Sequence, residues 1–392
     1  MKIVIVCPND FSIVNFSGEF VKQLQQENKN TVYSICDIHG AHGEGTDGYY
    51  KQKMEDLGVI HLPINYYRFF SITKDIKYIY SLFKILRKEK FDLVINIATK
   101  ANIYSSIISW LIGAPKVICC NWGLGVVFAD SDTIKSKILK FVLIKLYWFS
   151  FRLCDRIWFT NKFDYEWFIK EKIIFNNNSF LTKNYVNTTD YSPDSISSKD
   201  NLKLKKEYNL SPNDKIVVMV ARMSWAKGVK EFAEAAQLLR NEHNDVKFIL
   251  VGPLDEGSTD SVPESYLIEN QKNDNFIWTG FVKNVKAFYA ISDLAVLPTY
   301  YREGGYPRGL TEAMAMGKPI ITTDSEHCRG TVDNGKNGYR VPIKNSKGLA
   351  EAIKKIITDE NKIIDFGKYS RQKAINEFDE EKIIAEVIKN IF

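Results

Sequence analysis

Two carboxylates bracket a glycine-rich turn in Glu303-Gly304-Gly305-Tyr306-Pro307-Arg308-Gly309-Leu310-Thr311-Glu312. An apolar strand-like run, Leu294-Ala295-Val296-Leu297-Pro298, precedes it. A run of helix formers follows and stops at Gly317, a residue suited to a left-handed C-cap. Strand, Gly-rich turn and helix start together offer free backbone N–H groups and the positive end of a helix dipole to an anion. A carboxylate beside such a site accepts hydrogen bonds from sugar hydroxyls, so the stretch reads as a nucleotide-sugar pocket. An ordinary βα unit with a surface Glu at each end has the same pattern.

A second anion signal stands upstream. The apolar run 216–221 leads into Arg222-Met223-Ser224-Trp225-Ala226-Lys227-Gly228 and then an amphipathic stretch. An arginine and a lysine flanking a turn at a strand end can converge on one diphosphate, the first as a planar fork and the second as a point charge. Both are expected at a polar rim, where removing either would spare the fold. Basic residues at helix starts are also common on solvated faces; it is the combination with the two glutamates that makes a composite site.

These residues need a scaffold. Strands are expected at 2–7, 31–36, 59–62, 91–97, 116–121 and 155–160, with helices near 17–28, 47–57, 73–88, 102–112, 133–152 and 161–171. Residues 187–214 are polar, with a short helix at 201–208, and read as a connection. Beyond them, strands are expected at 215–221, 246–252, 275–280, 294–297 and 319–322. Helices are expected near 227–241, 263–271, 284–291, 309–316, 346–358 and 379–391. This alternation predicts an α/β protein with two doubly wound, mostly parallel sheets facing each other across a cleft. Ligands belong at the carboxyl ends of the strands, where the first half has loops at 8–18, 37–48, 98–102 and 121–130. The expected domains are 1–190 and 191–370, with 371–392 a helix crossing back to the first.

The 392 residues suffice for two full cores. A hydrophobic fraction of 45%, a charged fraction of 26% and a net charge of +6 describe a soluble globular protein and give no argument for nucleic acid. Cys7, Cys36, Cys119, Cys120, Cys154 and Cys328 show no ligand spacing and read as buried thiols of a reducing compartment. With a strand expected from Lys2 onward, no signal peptide is expected, and no apolar run approaches membrane-spanning length.

The motif Arg222-x4-Lys227-Gly228, followed by Glu-Gly and then Glu312-Ala-Met-Ala-x-Gly-x-Pro-Ile, resembles glycosyltransferase family 4, retaining enzymes of the GT-B fold. Ala221-Arg222-x2-Trp225-x-Lys227-Gly228-Val229-Lys230-Glu231-Phe232 and Trp122-Gly123-Leu124-Gly125 are similar to its bacterial N-acetylhexosaminyltransferases acting on polyprenyl-diphosphate sugars. The resemblance implies a UDP-sugar donor, N-acetylgalactosamine for example, and peripheral attachment at the inner face of a bacterial plasma membrane. It implies that Arg222 and Lys227 hold the diphosphate, Glu312 the ribose, and Glu303 with Gly304, Gly305, Tyr306 and Pro307 the sugar. Ser17 and Gly18 would close over the phosphates from a loop. Thr99, Lys100, Asn102, Gly123 and Gly125 would line the acceptor side. Glu303 and Glu312 stand one residue further apart than is usual in the family, and Thr99 stands where many members carry a histidine, so no acceptor-side base is named.

The resemblance needs no metal or other cofactor. Asp130-Ser131-Asp132 has the form of a metal motif but precedes a helical run, where an N-cap accounts for it. His39, His42 and Glu44 lie in a Gly-rich stretch without a further ligand in view. Two basic and aromatic stretches, 66–90 and 134–152, suit an anionic bilayer surface; core helices with solvated lysines are the plainer reading of each alone. An epimerase would need an acid/base set that is not in view, and a phosphorylase a pyridoxal lysine and a far longer chain. A non-catalytic sugar-binding protein has no need of Arg222, Lys227 and Glu312 together.

Overall fold

The computed structural model of the chain describes residues 1–38, 48–123, 134–175, 177–303 and 306–392. It divides into two compact units, Met1–Lys183 with Glu381–Phe392, and Asn184–Glu380. The expected limits at 190 and 370 both fall inside the second unit.

In the first unit the strands are β1 (Lys2–Asn9), β2 (Thr31–Asp37), β3 (Ile60–Pro63), β4 (Leu93–Ile97), β5 (Val117–Asn121), β6 (Arg156–Phe159) and β7 (Ser179–Leu181). They form one parallel sheet in the order β3-β2-β1-β4-β5-β6-β7. Ile3, Val4, Ile5 and Val6 are fully buried, as a central parallel strand covered on both faces requires. The helices are α1 (Asp10–Gln26), α2 (Tyr49–Asp56), α3 (Ile72–Glu89), α4 (Ser106–Leu111), α5 (Ile134–Ser150) and α6 (Lys162–Lys170). A π-helical turn, Ala101–Ser105, leads into α4.

The second unit repeats the plan. Helix α7 (Ser198–Glu207) enters β8 (Lys215–Val220), followed by α8 (Val229–Leu239), β9 (Val246–Val251), α9 (Glu264–Asn270), β10 (Phe276–Trp278) and α10 (Val285–Ile291). Then come β11 (Leu294–Leu297), α11 (Arg308–Ala315), β12 (Ile320–Thr323), β13 (Gly338–Val341), α12 (Ser346–Ile357) and α13 (Glu360–Glu377). The parallel sheet runs β10-β9-β8-β11-β12-β13, which puts the two motif-bearing strands, β8 and β11, side by side at its centre. The last helix, α14, is Glu380–Ile391.

Gly317 does end α11. Its φ is +69°, Gly317 N donates to Met314 O and Lys318 N to Ala313 O, the paired bonds of a Schellman cap. The expected loop 8–18 is corrected. The Asn9 side chain accepts from Ser12 N, so α1 starts at Asp10 and absorbs Ser17 and Gly18 into its interior. Strands β7 and β13 and helix α13 were not expected. All six cysteines are free and buried.

Candidate active site

The turn after β8 is held from three sides. Asp260 carries it: Asp260 Oδ2 accepts from Ala226 N at 3.0 Å and from the Ser224 hydroxyl, while Trp225 N donates to Asp260 O at 2.9 Å. Gly228 closes the turn at φ +87°, and a Cβ there would lie 2.3 Å from Pro298 O. Only glycine lets the turn press this closely on the end of β11. From the other side the β11 loop bonds back: Tyr300 N and Tyr301 N donate to Ala226 O at 2.8 and 2.9 Å.

This junction brings Lys227 and Glu303 together. Lys227 Nζ lies 2.7 Å from both Glu303 oxygens. The ammonium also stands 4.8 Å from the Tyr301 ring centroid. Thr299, fully buried, places its hydroxyl 2.8 Å from Glu303 Oε1 and 3.1 Å from Ala226 O, and accepts from Tyr301 N at 3.0 Å. Arg222, on the same turn, bonds Asp255 Oδ1 at 2.7 Å instead. Each cation of the expected diphosphate clamp therefore holds a carboxylate. Only Arg222 sits at a rim: its side chain is 32% exposed, against 14% for Lys227 and 8% for Glu303. The expectation of two rim cations is corrected for Lys227.

Glu312 lies on α11. Gly309 in the first turn packs so closely on β8 that a Cβ would meet Val220 O at 2.9 Å. Glu312 is buried and accepts from Arg308 Nε at 2.7 Å. Burial works most strongly against the Arg308 charge, but Glu312, Tyr191 and Glu380 together outweigh it and raise the guanidinium's pKa. Burial, then the Glu312 carboxylate, pushes the Tyr191 and Tyr289 phenols up. Tyr306 and Pro307 cap the approach to α11: Tyr306 O accepts from Asn184 at 2.9 Å, and the ring leaves no room for a Cβ on Gly330, 2.5 Å away.

The first-unit candidates fare differently. Ser17 is fully buried inside α1. Lys100 is buried and bonds Asp75, Tyr67 O and Phe69 O; its ammonium is committed to this lock rather than to an acceptor. Asn102 is fully buried, donating to Cys120 O at 3.0 Å. Thr99 is half-buried, and Gly123 N donates to Asn121 Oδ1 at 3.2 Å. Gly125, Gly304, Gly305, His39, His42, Glu44, Asp130 and Asp132 lie outside the described residues. Among the described residues no group of three or more His, Cys, Asp or Glu side chains is placed to hold a metal.

Three participants escaped the sequence reading. Asp255 and Thr299 carry no local signature. Arg308 stands four residues before Glu312 on an expected helix start, a spacing that pairs charges on one face and was there to be used.

Residues 200–373 match the family model described as glycosyl transferases group 1. Over 403 aligned positions covering all of both chains, the protein is 28% identical to N,N'-diacetylbacillosaminyl-diphospho-undecaprenol alpha-1,3-N-acetylgalactosaminyltransferase of Campylobacter jejuni. It is 27% identical to the UDP-Gal:alpha-D-GlcNAc-diphosphoundecaprenol alpha-1,3-galactosyltransferase of Escherichia coli, over 82% of this chain and 80% of that one. The Anabaena protein HepE, solved with UDP and glucose, superposes with a TM-score of 0.79 at 18% identity, over 99% of this chain and 98% of its own. The second unit thus matches the glycosyl transferases group 1 model over residues 200–373, and the protein is a glycosyltransferase with the GT-B fold.

Proposed function

We propose that the protein moves an N-acetylhexosamine, N-acetylgalactosamine in the first instance, from a UDP-sugar to a polyprenyl-diphosphate-linked saccharide, with retention of configuration. The work is done from the inner face of a bacterial plasma membrane in surface-glycan assembly. The substrate assignment draws on the names of the Campylobacter jejuni and Escherichia coli relatives. The observation that carries the chemistry is the buried Lys227–Glu303 pair, tied through Ala226 O to the ends of β8 and β11.

In this reading the departing diphosphate takes Lys227 and Arg222 as its counter-charges, and preorganised cations stabilise the leaving group where another enzyme would use a metal. Glu303, relinquished by Lys227, accepts from hydroxyls of the donor sugar, and Glu312 from the ribose. The acceptor hydroxyl attacks C1 from the side the diphosphate leaves. As the C1–O bond breaks, its electrons pass to the phosphate oxygen, which also takes the acceptor's proton. No protein base is assigned.

The test is a panel of UDP-sugars offered with and without a polyprenyl-diphosphate-linked saccharide, read by mass spectrometry, with the new anomeric centre read by NMR. A lipid lengthened by one hexosamine, axial linkage kept, is expected. No transfer from any donor, or interconversion of the free UDP-sugar alone, overturns the reading.

A further inference from the structure

The two faces of the first unit's sheet are covered by unlike helices. The chain steps from β1 to β2 to β3 in one direction along the sheet and from β3 across to β4, β5 and β6 in the other. Right-handed crossovers running in opposite directions put their helices on opposite faces. So α1 and α2 cover one face, and α3, α4 and α5 the other. In agreement, α1 packs on α2, α3 on α4, and α4 and α5 both pack on the turn Phe151–Leu153.

Among the described residues, α1 and α2 leave no large hydrophobic side chain exposed. The opposite layer is the reverse. On α3, Ile72, Ile76 and Tyr80 follow one another at helical spacing and are 67%, 60% and 59% exposed. On α5 the outward stripe is Ile138, Phe141, Val142, Trp148 and Phe149, while Tyr147 and Ser150 face inward and are fully buried. Between them α4 exposes Trp110 and Leu111. A helix apolar on its outer as well as its inner face has an outer partner that is not water.

The charge on this layer has one sign. The acids within α3, α4 and α5 are Asp75 and Glu89 alone. Asp75 is buried against Lys100, and Glu89 pairs with Lys2 at 3.2 Å. The cations ride on the exposed rings: Lys84 lies 4.6 Å from the Tyr80 centroid, Lys145 5.4 Å from Phe141, and the Arg152 guanidinium 3.7 Å from Trp148. Ahead of α3, Phe69 and Phe70 are 48% and 59% exposed. They are not slack, because the buried Lys100 ammonium grips Tyr67 O and Phe69 O.

We propose that the outer surface of α3, α4 and α5 is a docking face for an anionic lipid bilayer. The Phe69-Phe70 knuckle and the two helical stripes enter the headgroup boundary, and the ring-borne cations meet lipid phosphates. Apolar side chains on one helical layer with cations among them are what an interfacial surface requires. Lys100 is here a positioning residue that pins the knuckle outward. The inference rests on the lipid-linked acceptor of the proposed function and names the surface that meets its membrane.

The test is flotation of the full chain with phosphatidylglycerol-containing vesicles and with phosphatidylcholine vesicles. The wild type should float with the first and far less with the second. Ile72→Ser with Ile76→Ser, or Phe141→Ser with Val142→Ser, should each weaken partitioning about tenfold or more, since each removes two side chains' worth of apolar transfer. Leu202→Ser with Leu238→Ser, exposed positions in the second unit, should change nothing. Wild-type protein that stays at the bottom of the gradient, variants that float as well as the wild type, or a dimer that the α3 or α5 variants dissociate would each overturn the docking face. Transfer to a short-chain, water-soluble acceptor separates this from the function: flotation without transfer to any acceptor upholds the face and sinks the proposed reaction. Transfer without flotation sinks the face alone.

Discussion

Lys227 and Glu303 form a two-pronged ion pair, the Nζ 2.7 Å from each carboxylate oxygen, between residues 76 positions apart. Neither is solvated well enough to be indifferent to the other. A diphosphate entering beside Lys227 would compete with Glu303 for the same ammonium, so donor binding and release of the carboxylate become one event. In the proposed reaction the pair would couple the leaving-group end of the site to its sugar end.

That coupling should make Lys227→Ala both inactive and unstable. Removing one partner of a buried pair leaves an uncompensated charge, at a cost of about 3–5 kcal/mol. The double variant Lys227→Met with Glu303→Gln should recover most of the lost stability and none of the activity. Thermal unfolding and transfer assays of the three proteins check this; a single variant as stable as the wild type would show that Glu303 is not held by Lys227.

Arg222 behaves differently because its side chain is a third exposed and its partner Asp255 lies off the Lys227 turn. Arg222→Ala should cost less stability than Lys227→Ala, though it takes one partner from the buried Asp255 carboxylate. It should lose about 30- to 1000-fold in kcat/KM, about 2–4 kcal/mol of transition-state stabilisation. Turnover near the wild-type value would remove Arg222 from the diphosphate site.

Metal should be dispensable if these cations do its work. Activity is expected to survive EDTA, and Asp130→Asn or Asp132→Asn to retain most of it. Strict dependence on added magnesium or manganese would revive the Asp130-Ser131-Asp132 motif.

What could be read in the chain and what could not divide along physical lines. Central strands such as β1 and β8 were legible because a strand buried on both faces is an unbroken apolar run. Edge strands β7 and β13 were not: Ser179-Phe180-Leu181 and Gly338-Tyr339-Arg340-Val341 are short and part polar, as edges are. Spacing along the chain singled out Glu303, Glu312, Arg222 and Lys227 as candidates. That Lys227 would meet Glu303 while Arg222 met Asp255 was not legible, since it depends on β8 and β11 being neighbours. Ser17 and Gly18 went astray through one cap: Asn9 starts α1 early, and the glycine that looked like loop became helix interior.

Lys318 offers a pH signature of the fold. Burial holds its ammonium down to about 8, while Lys318 Nζ donates to Ala290 O and Ser292 O at the end of α10. Its folded pKa lies below the unfolded value of 10.5, so between the two the unfolded chain binds more protons and stability rises with pH. Against Lys318→Met, the wild type should gain on the order of 1 kcal/mol per pH unit between about pH 8 and 10 and nothing below that window. Chemical denaturation of both proteins across it decides the matter; a constant difference would mean that the lysine titrates normally.

Thr299 is the last residue whose role the geometry isolates. Its hydroxyl has one hydrogen and two acceptors within reach, Glu303 Oε1 at 2.8 Å and Ala226 O at 3.1 Å, while its oxygen accepts from Tyr301 N. In the proposed reaction, with Lys227 drawn to the diphosphate, that hydrogen is what remains among the described residues to orient the carboxylate towards a sugar. Thr299→Val keeps the volume and removes the donor. A hydrogen bond to a charged group contributes about 1.5–3 kcal/mol, so kcat should fall roughly ten- to a hundredfold. The KM for the donor should change little, because the diphosphate contacts are intact. Thr299→Ser restores the hydroxyl and should restore kcat. If Val costs only KM, or if Ser is as poor as Val, Thr299 serves the packing of the β11 loop and Glu303 is oriented by other means.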